Sequence, residues 1–215
     1  VGAVIAAVAL AQGTTKGITD TVQSLGTNLI QITITGRNSS RDITYVDLKE
    51  FADQNSDYIL ALSPQVSGSF TVKVGRTSRT VSVIGTSPEY EIVRNRHVQS
   101  GRFILQYDVD FRQKVAVIGT AVAKTLFKDL DPIGESIKID GQLFKIVGIL
   151  EEIDGGQEQS NDDQVIIPVT TAQRFMRNAT IRNFALEVTK PEYVEGVMEM
   201  INSLLSQYYR DNTFY

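Results

Sequence analysis

Lys114-Val-Ala-Val-Ile-Gly-Thr-Ala-Val-Ala-Lys-Thr-Leu-Phe127 sets an apolar β-branched run, a glycine turn and a helix-forming run in immediate succession. The short run before Gly119 reads as a buried strand over 114–118, and the alanine- and leucine-bearing run after it as a helix over 121–127. A strand that feeds directly into a helix is the building step of a mixed layer, so the fold class is α+β. The same turn, with Lys124-Thr125 behind it, invites comparison with a phosphate-binding loop. Its spacing rejects that. Such a loop needs four residues between its glycines and a glycine directly before the lysine, so that backbone N–H groups can approach the phosphates; here Ala123 precedes Lys124.

Strand signals lie on both sides. Downstream, Glu135–Asp140 and Gln142–Leu150 are two strand-like runs joined at Asp140-Gly141, a dipeptide suited to the left-handed conformations of a tight hairpin. Upstream, Gln65–Gly85 alternates, with Val72 and Val74 before Gly75-Arg-Thr-Ser78 and Val81 and Val83 after it, which reads as a second hairpin. Ser87-Pro88-Glu89 is a helix start, with Ser87 as cap, for a short helix over 90–94. Glu151–Asp163 is acidic and polar, contains Gly155-Gly156 and lacks periodicity; it reads as a mobile surface loop.

Further out, strand and helix alternate again. Asn28–Ile34 is a strand with Ile30, Ile32 and Ile34 on one face and Leu29 and Gln31 on the other. Thr44-Tyr-Val-Asp47 opens a helix to about Asn55 through a capping-box pattern. Gln164–Val169 is a strand, after which Thr170 or Thr171 can cap a helix through Met176, and Phe184–Val188 is another strand. Pro191 opens a long helix whose apolar stripe is Val194, Val197, Met198, Ile201, Leu204, Leu205 and Tyr208. The expected organisation is a membrane-proximal helix over 1–27, an α+β subdomain of two similar βαβ-like halves, discontinuous in sequence (28–85 and 164–215), and an inserted β-rich lobe over 86–163. The uncharged run Val1–Ala11 is too short for the roughly 20 residues a bilayer requires. It is expected to be the end of a longer transmembrane helix that continues through Ile18, Val22 and Leu25 to Gly26.

Composition removes several function classes. The 215 residues carry a net charge of −4 with scattered basic residues, which disfavours nucleic-acid binding. There is no cysteine and one histidine, His97, so thiolate and multi-histidine metal sites are absent and any Ser–His chemistry would rest on that residue. No Gly-x-Ser-x-Gly nucleophile turn accompanies it. The pairs Asp108/Asp110 and Asp129/Asp131 lie among turn and cap residues, and the acidic loop lacks the ligand spacing of an EF-hand. No catalytic, cofactor or metal residue is expected. The candidate site is a partner contact on the exposed loop, at Glu151, Asp154, Glu158 and Asp162.

The order of several stretches resembles the periplasmic core domain of MacB-type ABC permeases, in the MacB/FtsX-like family. They are Ser24-Leu-Gly-Thr-Asn-Leu-Ile30, Val83-Ile-Gly-Thr-Ser-Pro-Glu-Tyr90, Ser100-Gly-Arg-Phe103, the opening 114–127 run, Asp131-Pro-Ile-Gly-Glu-Ser-Ile-Lys-Ile-Asp-Gly141, Phe144-Lys-Ile-Val-Gly-Ile149 and Val169-Thr-Thr-Ala-Gln173. The resemblance implies a porter-like α+β subdomain with an inserted lobe, on the periplasmic or extracellular side of a membrane permease exporting drugs, antimicrobial peptides or toxins. It implies flanking transmembrane helices, a homodimer, an adaptor (membrane-fusion) partner, and ATP hydrolysis by a separate nucleotide-binding domain or subunit. A sensing or lipoprotein-release permease would share the fold, and a secreted binding module is the reading from another class.

Overall fold

The computed structural model describes residues 23–24, 28–34, 42–128, 130–157, 160–177 and 179–209. Residues 1–22 and 25–27 of the expected helix fall outside them. The chain forms two compact units, Val1–Pro64 with Thr180–Tyr215, and Gln65–Ala179.

In the first unit, strand β1 (Gln23–Ser24) pairs antiparallel with β2 (Leu29–Thr33), which pairs antiparallel with β10 (Asn183–Val188). The expected helix is contradicted at Gln23 and Ser24, which are strand partners of Gln31 and Ile30; its other residues lie outside the described ones. The alternation in β2 holds: Ile30, Ile32 and Ile34 are buried and Leu29 and Gln31 are half-buried. Helix α1 (Tyr45–Gln54) starts at Thr44, whose hydroxyl accepts from the Asp47 N–H at 3.3 Å while the Asp47 carboxylate accepts from the Thr44 N–H at 2.8 Å. Thr44→Ala removes this reciprocal cap and is expected to cost ~1 kcal/mol, measured by urea unfolding. A single 3-10 turn, Pro191–Tyr193, leads into α6 (Val194–Tyr208), which packs on β2 and buries Val197, Ile201 and Leu205. The other residues of the expected stripe, Val194, Met198, Leu204 and Tyr208, are half-buried at its margins.

Strand β3 (Ile59–Val74) begins in the first unit and ends in the second. From Val66 onward it forms the expected hairpin with β4 (Thr77–Thr86) across Gly75-Arg76. β4 then pairs parallel with β9 (Gln164–Pro168), β9 antiparallel with β6 (Val115–Ile118), and β6 parallel with β8 (Gln142–Leu150). β7 (Ser136–Ile139) is the hairpin partner of β8 and also pairs with β3, Val72 facing Ile139, so the strand pairings close on themselves. The short β5 (Val98–Gly101) lies outside this ring, on β8. One face of the strands, with Val83, Ile118, Ile139, Phe144 and Val165, forms a single apolar cluster with Val122 and Leu126 of α4 (Thr120–Phe127) and Ala172 of α5 (Val169–Phe175).

The unit boundaries fall at 64/65 and 179/180, whereas the sequence reading placed them at 85/86 and 163/164. The cause is the β4–β9 pairing, which commits the first hairpin and the 164–179 segment to the same ring. The threonine caps also differ. Pro168 occupies the cap position of α5, and the Thr170 and Thr171 hydroxyls donate instead to the carbonyls of Val109 and Gln113, fixing α3 (Gln106–Asp110) and the turn after it. Likewise Glu89, not Ser87, precedes α2 (Tyr90–Val93), and Ser87 is fully buried.

A candidate partner-contact turn on the second unit

The connection from β8 to β9 carries the four candidate contact residues, and it is built around one of them. Asp162 has no exposed surface. Its carboxylate accepts from the backbone N–H groups of Ile153 at 3.1 Å, Asp154 at 2.8 Å and Gly156 at 2.9 Å. Gly155 and Gly156, at φ +73° and +64°, supply the left-handed backbone that lets successive N–H groups converge on one anion. The Arg96 guanidinium, also buried, lies 3.7 Å from Asp162 Oδ1 and donates to the Asn161 carbonyl at 3.0 Å.

This arrangement corrects two expectations. In place of the expected mobile surface loop, the described residues of the segment, 151–157 and 160–163, form a turn folded on an internal carboxylate, and Asp162 is an anchor that a partner cannot reach. Glu151, Glu152 and Asp154 are exposed, as is Ile153 at 53 %; Glu158 lies outside the described residues. Asp154 has an additional role, its carboxylate accepting from the backbone and side-chain N–H groups of Asn161 at 3.0 and 2.8 Å. Glu152 pairs with Lys124 of α4, so one edge of the turn is tied to the helix of the opening sequence stretch.

The turn also answers the question of the glycine connection before α4. The Asp162 carbonyl accepts from the Ala121 N–H at 3.2 Å, and Gly119 donates to the Gln164 carbonyl at 2.9 Å. The helix N-terminus is thus occupied by the chain's own backbone, and Lys124 faces a carboxylate. Asp108, Asp131 and His97 also have partners within the fold. Asp108 accepts from both terminal nitrogens of Arg102 at 2.6 and 3.2 Å and from the Leu105 N–H at 2.9 Å. Asp131 accepts from the Ile133 N–H, and the His97 ring contacts Glu91 and Asn95. Among the described residues no three His, Cys, Asp or Glu side chains are grouped to hold a metal, and no helix is long and apolar enough to cross a membrane.

Burial opposes the charge on Asp162, but the three N–H donors and Arg96 outweigh it and hold the carboxyl below its usual value. A carboxyl depressed on folding stabilises the turn at pH values above its unfolded pKa of about 3.9. That contribution is lost as pH falls through the folded value. The turn is therefore expected to be unaffected from pH 8 to 5 and to lose amide protection at Ile153, Asp154 and Gly156 only below about pH 4, measured by exchange at matched intrinsic rates.

The family model for the MacB-like periplasmic core domain matches residues 1–204. The chain belongs to this family. MacB-like relatives include the macrolide export ATP-binding/permease protein MacB of Bdellovibrio bacteriovorus, 30% identical over 220 residues that cover 98% of this chain and 34% of that protein. The corresponding protein of Chlorobium luteolum is 29% identical, over 98% of this chain and 33% of the relative. The chain thus spans about a third of the length of the curated relatives it matches. The periplasmic region of MacB from Actinobacillus actinomycetemcomitans has the same fold, with a TM-score of 0.70 at 19% identity over 85% of this chain and 84% of that one. So does the extracellular domain of the noncanonic ABC-type transporter YknZ from Gram-positive bacteria, at TM-score 0.70 and 16% identity over 84% and 94% of the two chains. As a MacB-like core domain, the chain is an extracytoplasmic domain.

Proposed function

We propose that this domain is the extracytoplasmic transmitter of an ABC export permease, moving drugs, antimicrobial peptides or toxins. ATP is hydrolysed by a cytoplasmic nucleotide-binding domain or subunit, and transmembrane helices flank the domain in a permease dimer. The observation that carries this reading, beyond family membership, is that β2 near the start and β10–α6 near the end belong to one compact unit. Motion entering through the segments before β2 and after α6 acts on a single hydrogen-bonded layer, so displacement of the two ends is converted into movement of a packed body rather than dissipated along a chain. The first unit is the porter-like part, and the second is the inserted lobe that meets an adaptor protein through the turn bearing Glu151, Asp154 and Glu158.

The test is ATPase activity of the full-length protein in proteoliposomes, with and without a candidate adaptor protein. Adaptor-stimulated ATPase that disappears when residues 65–179 are replaced by a short linker, with basal activity kept, is the expected result. An adaptor response that survives this replacement would overturn the assignment of the contact to the second unit. A full-length chain without flanking spans would overturn the permease reading as a whole.

A further inference from the structure

We propose that Arg96 and Asp162 form a positioning pair that holds the 151–163 turn in one presented shape, although neither side chain can be touched by a partner. The inference rests on the contact reading of this turn given above. The side chains of Arg96 and Asp162 are 7% and 0% exposed. Asp162 gathers three amides of the turn through its carboxylate and accepts from α4 through its carbonyl. Arg96 comes from the segment whose next residue, His97, accepts from the Glu151 N–H at 2.8 Å. The pair therefore sits where the first residue of the turn, its last residues and the start of α4 are tied together.

The bonding of Arg96 makes this junction depend on charge. Its Nη2 donates to Asn161, while Nε and Nη1 have no hydrogen-bond partner among the described residues. Among the described residues, Asp162 is the carboxylate within ion-pair distance of it. A buried guanidinium compensated in this way is tolerated while the carboxylate is present, and becomes an uncompensated charge when the carboxylate is neutralised. Removing both charges removes that penalty and leaves the smaller loss of one acceptor oxygen, where the amide introduced by Asp162→Asn replaces a carboxylate that accepts from three N–H groups. Asp162→Asn alone should thus release the turn so that Arg96 reaches water, whereas Arg96→Met in the same chain should restore it.

Hydrogen exchange read by mass spectrometry on the full-length protein in lipid nanodiscs tests the pair, with D162N, R96M and R96M/D162N compared with the parent. D162N is expected to accelerate exchange across 153–156 by about 100-fold, with β6, β8 and β9 still protected, and the double variant to recover at least about 10-fold of it, the share lost through the uncompensated guanidinium. Unchanged exchange in D162N, or a double variant as fast as the two single effects combined, would overturn the proposal. The adaptor concentration for half-maximal ATPase stimulation is a separate readout, expected to rise in D162N at an unchanged maximal rate and to return in the double variant. If exchange responds as expected while this concentration stays fixed, the positioning pair stands and the contact reading of the turn fails.

Discussion

Phe144→Ala is expected to lower the stability of the second unit by about 3–5 kcal/mol. Phe144 is 1% exposed, sits on β8 opposite Ile137 of β7, and meets the Phe175 ring edge-on at 5.8 Å between centroids. Truncation removes most of the side chain's burial and leaves a cavity beside the strand pair that completes the ring. Because β7 is held between β8 and β3, it cannot move inward to fill that cavity without giving up ladder bonds on one edge. The chain has no tryptophan, so the loss is read from far-ultraviolet dichroism in a urea series, or from the fluorescence of its eight tyrosines. A loss below about 1 kcal/mol would mean that the ring collapses freely around the site, and that β7 is a loose cover.

Gly119→Ala is expected to destabilise by roughly 2–3 kcal/mol, an unusual cost for one added methyl group. A Cβ at this position would overlap the Asp162 carbonyl oxygen and lie 2.8 Å from its carbon, both of them backbone atoms that cannot rotate away. Relief requires the start of α4 to separate from the 151–163 turn, breaking the Ala121 N–H to Asp162 bond. The variant should therefore unfold earlier and also exchange faster at Gly156. Gly196 is the contrast. Lying within α6 with nothing near its missing Cβ, it should gain about 0.5–1 kcal/mol on replacement by alanine, from helix propensity alone. Equal effects at Gly119 and Gly196 would show that close approach plays no part at the β6–α4 connection.

What the sequence revealed was decided by range. The capping box at Thr44 and Asp47, the alternating isoleucines of β2 and the Asp140-Gly141 hairpin are each set by residues a few positions apart, and each was legible. At that hairpin both turn residues take the left-handed conformation, Asp140 at φ 45° and Gly141 at φ +83°, as an Asp-Gly turn demands. Contacts distant in sequence were not. Nothing in Ser136–Ile139 announces a second partner in β3, and nothing in Gln164–Pro168 announces that β4 is its neighbour, so the unit boundaries were misplaced. Asp162 was the most misleading residue. In a stretch rich in acids and glycines, a carboxylate that collects backbone N–H groups looks the same as one that faces water. The pair of glycines beside it was the available signal, since left-handed residues in series form an anion-binding concavity. Gln23 and Ser24 were misread as helical for a related reason: three apolar residues at helical spacing outweighed their pairing with a strand still to come.

The closing pair of the first unit has a consequence for the order in which the chain acquires structure. Thr33 of β2 and Asn183 of β10 are cross-strand partners, joined by a side-chain hydrogen bond across 150 positions of sequence. During synthesis and export the whole of the second unit, 65–179, emerges while β2 still waits for that partner. The ring can close early and alone, whereas the layer that bears both ends must form last and over the largest loop. A chain stalled or clipped before residue 180 would therefore present a finished lobe on a β2 that lacks its β10 neighbour and the cover of α6, a species recognisable to quality-control proteases by its exposed isoleucine face.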